Sequence, residues 1–282
     1  MDIDKLRTFL EVISTGNFFQ ASINLNVTQS TVSARIRALE ERLGQRLFER
    51  HASGVTLTDA GRHLQRNAVS IMQLWQRAER EASLPNACTH SIGLGTVFSL
   101  MDDVVLPWIA WMGTRNPALA IHVETDFSNN LMRQLVDGVI DLAVMYEPRR
   151  MPRVVVEELL ADDLVLVSSR AAQSDADWRT GYVYVDWGDD FRQMHELELA
   201  GLSPALSFGL GKIALNHVLL NGGSGYFPSR MVASHLQHGR LHKVINMPDI
   251  YRTGYVVYSK AHGGSDQIRL AIEGLKDVLR SG

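Results

Sequence analysis

Between positions 28 and 37 the chain concentrates side chains able to read a nucleic acid: Thr28, Gln29, Ser30, Thr31, Ser33, Arg35 and Arg37. Short hydroxyls and an amide can approach base edges or phosphates, and arginine pairs with phosphate or with the edge of guanine. A second basic group, Arg46, Arg50 and His51, follows shortly after. Further along, a different chemistry is offered. Thr96, Ser99 and Ser128 place hydroxyls at the ends of apolar runs, where helices are expected to begin. Free amides and the helix dipole favour an anion there, although Ser99 and Ser128 read equally well as plain helix caps. Tyr146, Trp187, Phe208 and Pro228 are candidates to line the same cavity, and Asp126 and Glu147 lie close to them in sequence. The acidic and aromatic neighbours count against a simple carboxylate as ligand. The run from Trp187 to Phe191 is assigned only to the lining of that cavity.

Catalytic and metal chemistry find less support. His235, His238 and His242 have the spacing of a partial metal site, but Gly239 ends the helix and no acidic or cysteine partner lies close. Solvated histidines are the better reading. Gly222-Gly223-Ser224-Gly225 lacks the Lys-Ser/Thr of a phosphate-binding loop and reads as a turn before a strand at Tyr226. No Gly-x-Ser-x-Gly occurs, and no Ser/His/Asp order stands out. No catalytic residue, metal or cofactor is expected.

The elements that must hold the first group are legible as periodicity. Leu6, Phe9, Leu10 and Ile13 make one apolar helix face, which Gly16 ends. Asn17 caps a short second helix through Phe18, Ala21, Ser22 and Leu25. After a tight connection, Thr28 caps a third helix from Gln29 to about Leu43, with Val32, Ile36, Leu39 and Leu43 buried and Gly44 as its stop. Two short helices and a third across such a turn form a helix-turn-helix, whose last helix enters the major groove. A solvated amphipathic helix of any small helical domain is the alternative for that third segment. Leu47 to His51 and Val55 to Thr58 alternate around a turn at Ala52-Ser53-Gly54, as in a β-hairpin wing. From Asp59 a long helix carries Leu64, Ala68, Ile71, Trp75, Ala78 and Ala82 at spacings of four and three, a heptad seam. The seam implies a partner helix and a dimer, or else packing against the chain's own domain.

The residues Phe18-Phe19-Gln20-Ala21-Ser22, Val27-Thr28-Gln29-Ser30, Val32-Ser33, Ile36-Arg37, Leu39-Glu40, Leu43-Gly44, Leu47-Phe48-Glu49-Arg50 and Leu57-Thr58-Asp59-Ala60-Gly61 stand in uninterrupted register. They resemble the N-terminal signature of LysR-type transcriptional regulators. Ser22 departs from the alanine more usual there. The resemblance implies that Thr28, Gln29, Ser30, Thr31, Ser33, Arg35 and Arg37 face DNA, with Arg50 and His51 in the wing. It also implies a dimerising linker helix, a two-lobed effector domain of periplasmic-binding-protein type and an inverted-repeat operator. Cys88 is the single cysteine, so the two-cysteine peroxide sensing of some similar regulators is not expected.

Beyond a break at residues 84–89, strands and helices alternate: Ser91 to Gly95, Leu106 to Met112, Ala120 to Glu124, Asn129 to Asp137 and Asp141 to Tyr146. This βαβαβ order predicts a mainly parallel sheet. Leu164 to Val167 leads into a second lobe with candidate strands at Tyr182 to Val185, Ala205 to Phe208, Gly225 to Phe227 and Lys243 to Ile245, and helices at about 211–221 and 229–238. Gly254 to Tyr258 crosses back, and 265–280 is a final helix. The expected class is therefore α/β, with an all-α winged helix-turn-helix domain in front of a two-lobed effector domain. Boundaries are placed at 1–58 for the DNA-binding domain, 59–84 for the linker helix, 85–89 for the hinge and 90–282 for the effector domain. Its first lobe spans about 90–161 and 259–282, its second about 162–258. In open α/β sheets ligands bind outside the carboxyl ends of the strands.

Bulk numbers agree. Hydrophobic residues make up 45% and charged residues 21% of 282, ordinary for a globular protein, and no run is long enough to span a membrane. The opening Met1-Asp2-Ile3-Asp4-Lys5 is unlike a signal peptide, so the cytoplasm is the expected location. Residues 1–84 hold 11 Lys and Arg against 9 Asp and Glu, a net +2, and the rest hold 17 against 22, a net −5. A mildly basic head on an acidic body suits phosphate binding by the head. The expected partners are double-stranded DNA, an unidentified small-molecule effector and further copies of the chain, as homodimer or homotetramer. Two rivals stay open: a solute-binding protein or enzyme with an N-terminal oligomerisation arm, and a constitutive DNA-binding regulator whose cleft is filled by its own side chains.

Overall fold

Caps and stops set the helices of the first unit. The computed structural model describes residues 2–51, 54–85, 87–171, 178–260, 263 and 265–281, and divides the chain into Met1–Leu84 and Pro85–Gly282. Helix α1 (Ile3–Thr15) starts at Asp2, whose carboxylate accepts from the Asp4 amide, and stops at Gly16 in the left-handed region. Asn17 accepts from the amides of Phe19 and Gln20 to open α2 (Phe18–Asn24), and Thr28 accepts from Thr31 to open α3 (Gln29–Leu43). Leu6, Phe9, Val12, Phe18, Ala21, Val32, Ile36 and Leu39 close the core between them. Leu43, expected on the buried face, is 47% exposed, because the last turn of α3 runs past that core. Strands β1 (Phe48–His51) and β2 (Gly54–Leu57) pair antiparallel as the wing; Ala52 and Ser53 of the expected turn lie outside the described residues. Ser22 is buried and donates to the Phe19 carbonyl at 2.7 Å, so its hydroxyl is satisfied.

Thr58 caps α4 (Asp59–Ala82). The heptad seam on this helix splits. Ala68 is fully buried, and Leu64 and Ile71 pack beside it against the helices of the unit's own core, whereas Trp75, Ala78 and Ala82 are exposed.

In the second unit β3 (His90–Thr96), a 3-10 turn (Phe98–Leu100) and a π-helical turn (Met101–Val105), α5 (Leu106–Arg115), β4 (Leu119–Thr125), α6 (Ser128–Val136) and β5 (Leu142–Tyr146) build the first lobe. Then come β6 (Val154–Ser168), β7 (Val183–Val185), α7 (Asp189–Glu198), β8 (Leu206–Phe208), α8 (Gly211–Asn221), β9 (Ser224–Pro228), α9 (Ser229–Gln237), β10 (His242–Lys243), β11 (Ile250–Ser259) and α10 (Asp266–Ser281). The main sheet runs β10-β6-β11-β5-β3-β4, with β9 also on β6.

Two expectations change. The sheet is mixed: β3 is parallel to β4 and β5, and β7 to β8, but β6 and β11 run antiparallel from Val154↔Ser259 to Leu164↔Ile250. These two long strands are the hinge. The first half of β6 pairs with β11 and its second half, Leu164 to Ser168, with β9 of the second lobe. The strand expected at Lys243 to Ile245 shortens to His242–Lys243, and Ile245 is exposed. Alternate residues of β6 serve opposite faces: Val165 and Val167 join Leu215 and Phe227, while Leu164 and Leu166 join Trp178 and Tyr226. The first lobe is likewise packed on both faces, by Trp108, Met112 and Leu275 on one and by Leu131, Leu135 and Ile140 on the other.

Candidate functional sites

At the amino end of α3, Thr28, Gln29 and Ser30 are exposed and Thr31 and Ser33 half-buried. The Thr28 hydroxyl lies 2.8 Å from the hydroxyls of Ser30 and of Thr31, so three short polar groups crowd the first turn. The two arginines diverge. Arg37 is exposed on the side that faces the wing, in a depression shared with Arg46 and His51. Arg35 turns back onto α1, donating to the Thr8 hydroxyl at 3.2 Å and lying 3.6 Å from the Asp4 carboxylate. His51 contacts the Thr56 hydroxyl across the wing at 3.1 Å. The side chain of Arg50 lies outside the described residues.

In the second unit Ser99, Ser128, Tyr146 and Trp187 line one cavity of about 400 Å³ between the lobes. Thr96, Phe208 and Pro228 do not. Thr96 is fully buried and donates to the Val97 carbonyl, Pro228 is buried opposite Leu164 in the β6–β9 pair, and the Phe208 ring packs 5.4 Å from His217. Ser128 does not cap α6, whose N-cap position is Phe127. The carboxylate of Asp126 stands just before the helix, accepting from the Phe127 amide at 2.7 Å and from Asn130 Nδ2 at 2.8 Å, and among the described residues no side chain caps the first turn. The Ser99 carbonyl accepts from Arg230 at 2.9 Å.

Behind the cavity stands a buried ionic group that no sequence motif announces. Asp162 on β6 accepts from the Tyr146 hydroxyl at 2.6 Å and from Arg252 Nε and Nη2 at 3.0 and 2.8 Å, and Arg230 lies within 3.2 Å. The Arg252 guanidinium also stacks 3.8 Å from the centre of the Tyr146 ring and 5.0 Å from that of Trp187. Burial pushes the Asp162 carboxyl up, but Arg230 and Arg252 outweigh it and hold it below its ordinary value. Burial raises the Tyr146 phenol to about 12, so it donates as a neutral hydroxyl. Besides the Arg230 contact with the Ser99 carbonyl, the lobes are joined across the cleft by Arg230 to Asp103 at 2.6 Å, Lys212 to Asp102 at 2.6 Å, and the Asp189 amide donating to the Glu147 carboxylate at 2.9 Å. The last explains Gly188, whose φ of 114° and contact with the Glu147 carboxylate both exclude a side chain. His195, buried against Tyr184 and Phe191, anchors α7 and so holds Asp189 and Arg192 at the cleft.

Family models settle the kinship. One described as a bacterial regulatory helix-turn-helix protein of the lysR family matches residues 3–62, and one for the LysR substrate binding domain matches 89–280. The chain belongs to the LysR family. Among LysR-type relatives, the HTH-type transcriptional regulator HdfR of Yersinia enterocolitica is 30% identical over all of this chain and 97% of its own length. Full-length CbnR complexed with its target DNA has the same fold, at a TM-score of 0.68, 19% identity and full coverage of both chains. Full-length LysG of Corynebacterium glutamicum with bound effector Arg gives 0.57 at 18%, covering 100% of this chain and 99% of that one.

In this LysR-type regulator the ionic group behind the cavity is drawn from separate elements, and of its members Tyr146 and Arg252 line the cavity itself. Asp162, Arg230 and Arg252 stand on β6, α9 and β11, far apart in sequence. Only the acidic and arginine residues flanking the strand ends, unusual beside such apolar runs, could have drawn attention to them. Among the described residues no three His, Cys, Asp or Glu side chains group as metal ligands, and no helix is long and apolar enough to cross a membrane.

Proposed function

We propose that this LysR-type regulator reads an inverted-repeat operator in double-stranded DNA and takes a small-molecule effector between the lobes of its second unit. The amino end of α3 enters the major groove, with Gln29, Ser30, Thr31, Ser33 and Arg37 toward bases and phosphates. The wing, with Arg50 and His51, lies on the backbone. The observation that carries this reading is the exposed polar first turn of α3, opened by Thr28 and followed about two turns on by the exposed Arg37. The chain acts as a homodimer or homotetramer, since paired readers on half-sites strengthen one another. It works in the cytoplasm and performs no catalysis.

Arg35 takes a different role from Arg37. Bound to Thr8 and Asp4, it fixes α3 against α1 and reaches DNA at most with its free edge. Fluorescence anisotropy with an operator fragment tests the assignment. Affinity should fall steeply as salt rises, and Arg37→Ala should weaken binding and lower the salt slope by about one ion. Salt-independent, sequence-blind binding, or full affinity in Arg37→Ala, contradicts the reading.

A further inference from the structure

The charge around the interlobe cavity is arranged against an anionic ligand. Arg192 is bound by Asp186 at 2.5 Å and by Asp189, Arg252 by Asp162, Arg230 by Asp162 and Asp103, and Lys212 by Asp102. The starts of α6 and α7 open on the cavity as well, each beside a carboxylate of the chain. Glu147 accepts the first amide of α7, and the Asp126 carboxylate stands one residue before the N-cap Phe127 of α6, so a carboxylate ligand at either helix start would meet a carboxylate of the chain. An anionic effector would have to displace Glu147 from α7 or lie against Asp126 at α6.

Negative charge, by contrast, is left over. Asp126 and Glu147 both line the cavity, and among the described residues neither has a basic side chain within ion-pair distance. Arg150, three residues beyond Glu147, lines a neighbouring cavity and not this one. Burial, and after it the charge of Asp190, push the Glu147 carboxyl above its ordinary value against the pull of Arg192. The rest of the wall combines small polar and aliphatic residues with the rings of Phe98, Phe127, Tyr146 and Trp187. Phe98 and Phe127 meet edge to face at 6.4 Å while remaining 44% and 62% exposed, and the Trp187 indole is fixed by a 2.8 Å hydrogen bond to the Tyr226 carbonyl. Gly211 lies so close to that indole that any side chain there would collide with it. Such rings accept a flat apolar body, and their faces attract a cation.

We infer that the cleft selects a small molecule with a flat apolar body and a cationic amine, the amine facing Asp126 and Glu147 and the body lying against Phe98 and Phe127. This rests on the proposed effector role of the cleft and names the class of molecule that fills it. A cavity of about 400 Å³ is at the lower end of the range for small-molecule sites, which suits a single ring with a short chain.

Isothermal titration of the full-length protein with 2-phenylethylamine, 2-phenylethanol and 3-phenylpropionate separates charge from shape. The amine should bind at least about tenfold tighter than the alcohol or the acid. Asp126→Asn and Glu147→Gln, each retaining the melting temperature of the parent, should remove most of that preference while leaving alcohol binding unchanged. Tighter binding of 3-phenylpropionate, equal binding of all three, or no saturable binding of any overturns the inference. The effector reading itself falls separately, only if a broad mixture of metabolites also fails to change operator affinity.

Discussion

Three donors converge on the Asp162 carboxylate: the Tyr146 hydroxyl at 2.6 Å, the Arg252 guanidinium at 2.8 and 3.0 Å, and Arg230 at 3.2 Å. Its side chain is 2% exposed and that of Arg252 only 9%, so neither charge is hydrated enough to stand alone. Asp162→Asn removes the anion and leaves two buried or half-buried cations facing each other, which should cost about 3 kcal/mol in urea denaturation of the second unit. Tyr146→Phe takes away one donor and keeps the ring under Arg252, so it should cost about 1.5 kcal/mol. An acid titration gives a second reading. The Asp162 carboxyl is held below the ordinary value of 3.8, so its contribution is present above 3.8 and is lost as pH falls through the lowered value. Asp162→Asn should therefore flatten stability against pH below about 4, and an unchanged acid profile would contradict the assignment. Apart from Tyr146, this group was not legible in sequence, because its members belong to β5, β6, α9 and β11 and only the fold brings them together. Ser99, Ser128, Tyr146 and Trp187 were legible, since strand ends and glycine turns mark the loops that face the cleft. Thr96 failed for a local reason: it is the last residue of β3, and its pleat points the hydroxyl into the sheet's own packing.

Among the elements, α4 shows how a correct period can conceal two environments. Leu64, Ala68 and Ile71 meet the core of the first unit, and Trp75, Ala78 and Ala82 continue the same stripe into the open. A heptad pattern records that one face avoids water, not which surface covers it. Leu64→Ala or Ile71→Ala should therefore cost the first unit about 2 kcal/mol in chemical denaturation. Trp75→Ala should change that stability by less than about 0.5 kcal/mol but shift sedimentation toward smaller species, because its 43% exposed ring is free for a second copy. If Trp75→Ala unfolds the domain and leaves self-association intact, the division of the helix is wrong. The recognition helix was legible to the residue because Thr28 and Gly44 punctuate it with cap and stop. Helix α7 was not. Its segment is mostly polar, its N-cap is the glycine that makes room for Glu147, and its anchors, Phe191 and His195, are too few to show a period. The parallel expectation holds for β3, β4 and β5, where strands and helices alternate, and stops at the hinge, because β6 and β11 join the sheet antiparallel as bridges between lobes.

At the scale of the whole chain, each unit has its own buried core: Leu6, Phe9, Val32 and Ile36 in the first, and Leu94, Trp108, Leu166 and Phe227 among the layers of the second. Separate cores imply separate cooperative transitions. Calorimetry of the full chain should thus resolve two, and each ligand should address its own. Operator DNA binds the folded first unit and raises its transition, and an amine seated at Asp126 and Glu147 raises that of the second. Either stabilisation should approach about 2.7 kcal/mol when free ligand is about 100 times its dissociation constant. Regulation requires something more than two independent shifts. If effector binding alters DNA affinity, linkage demands that DNA alter effector affinity by the same factor, a coupling of about 1–3 kcal/mol for an ordinary allosteric protein. Operator should therefore displace the second transition slightly even without effector, and should shift the amine titration by the factor that the amine imposes on operator binding. Two transitions that respond only to their own ligands, with no cross-effect in either titration, would mean that the units report to each other through nothing in this chain.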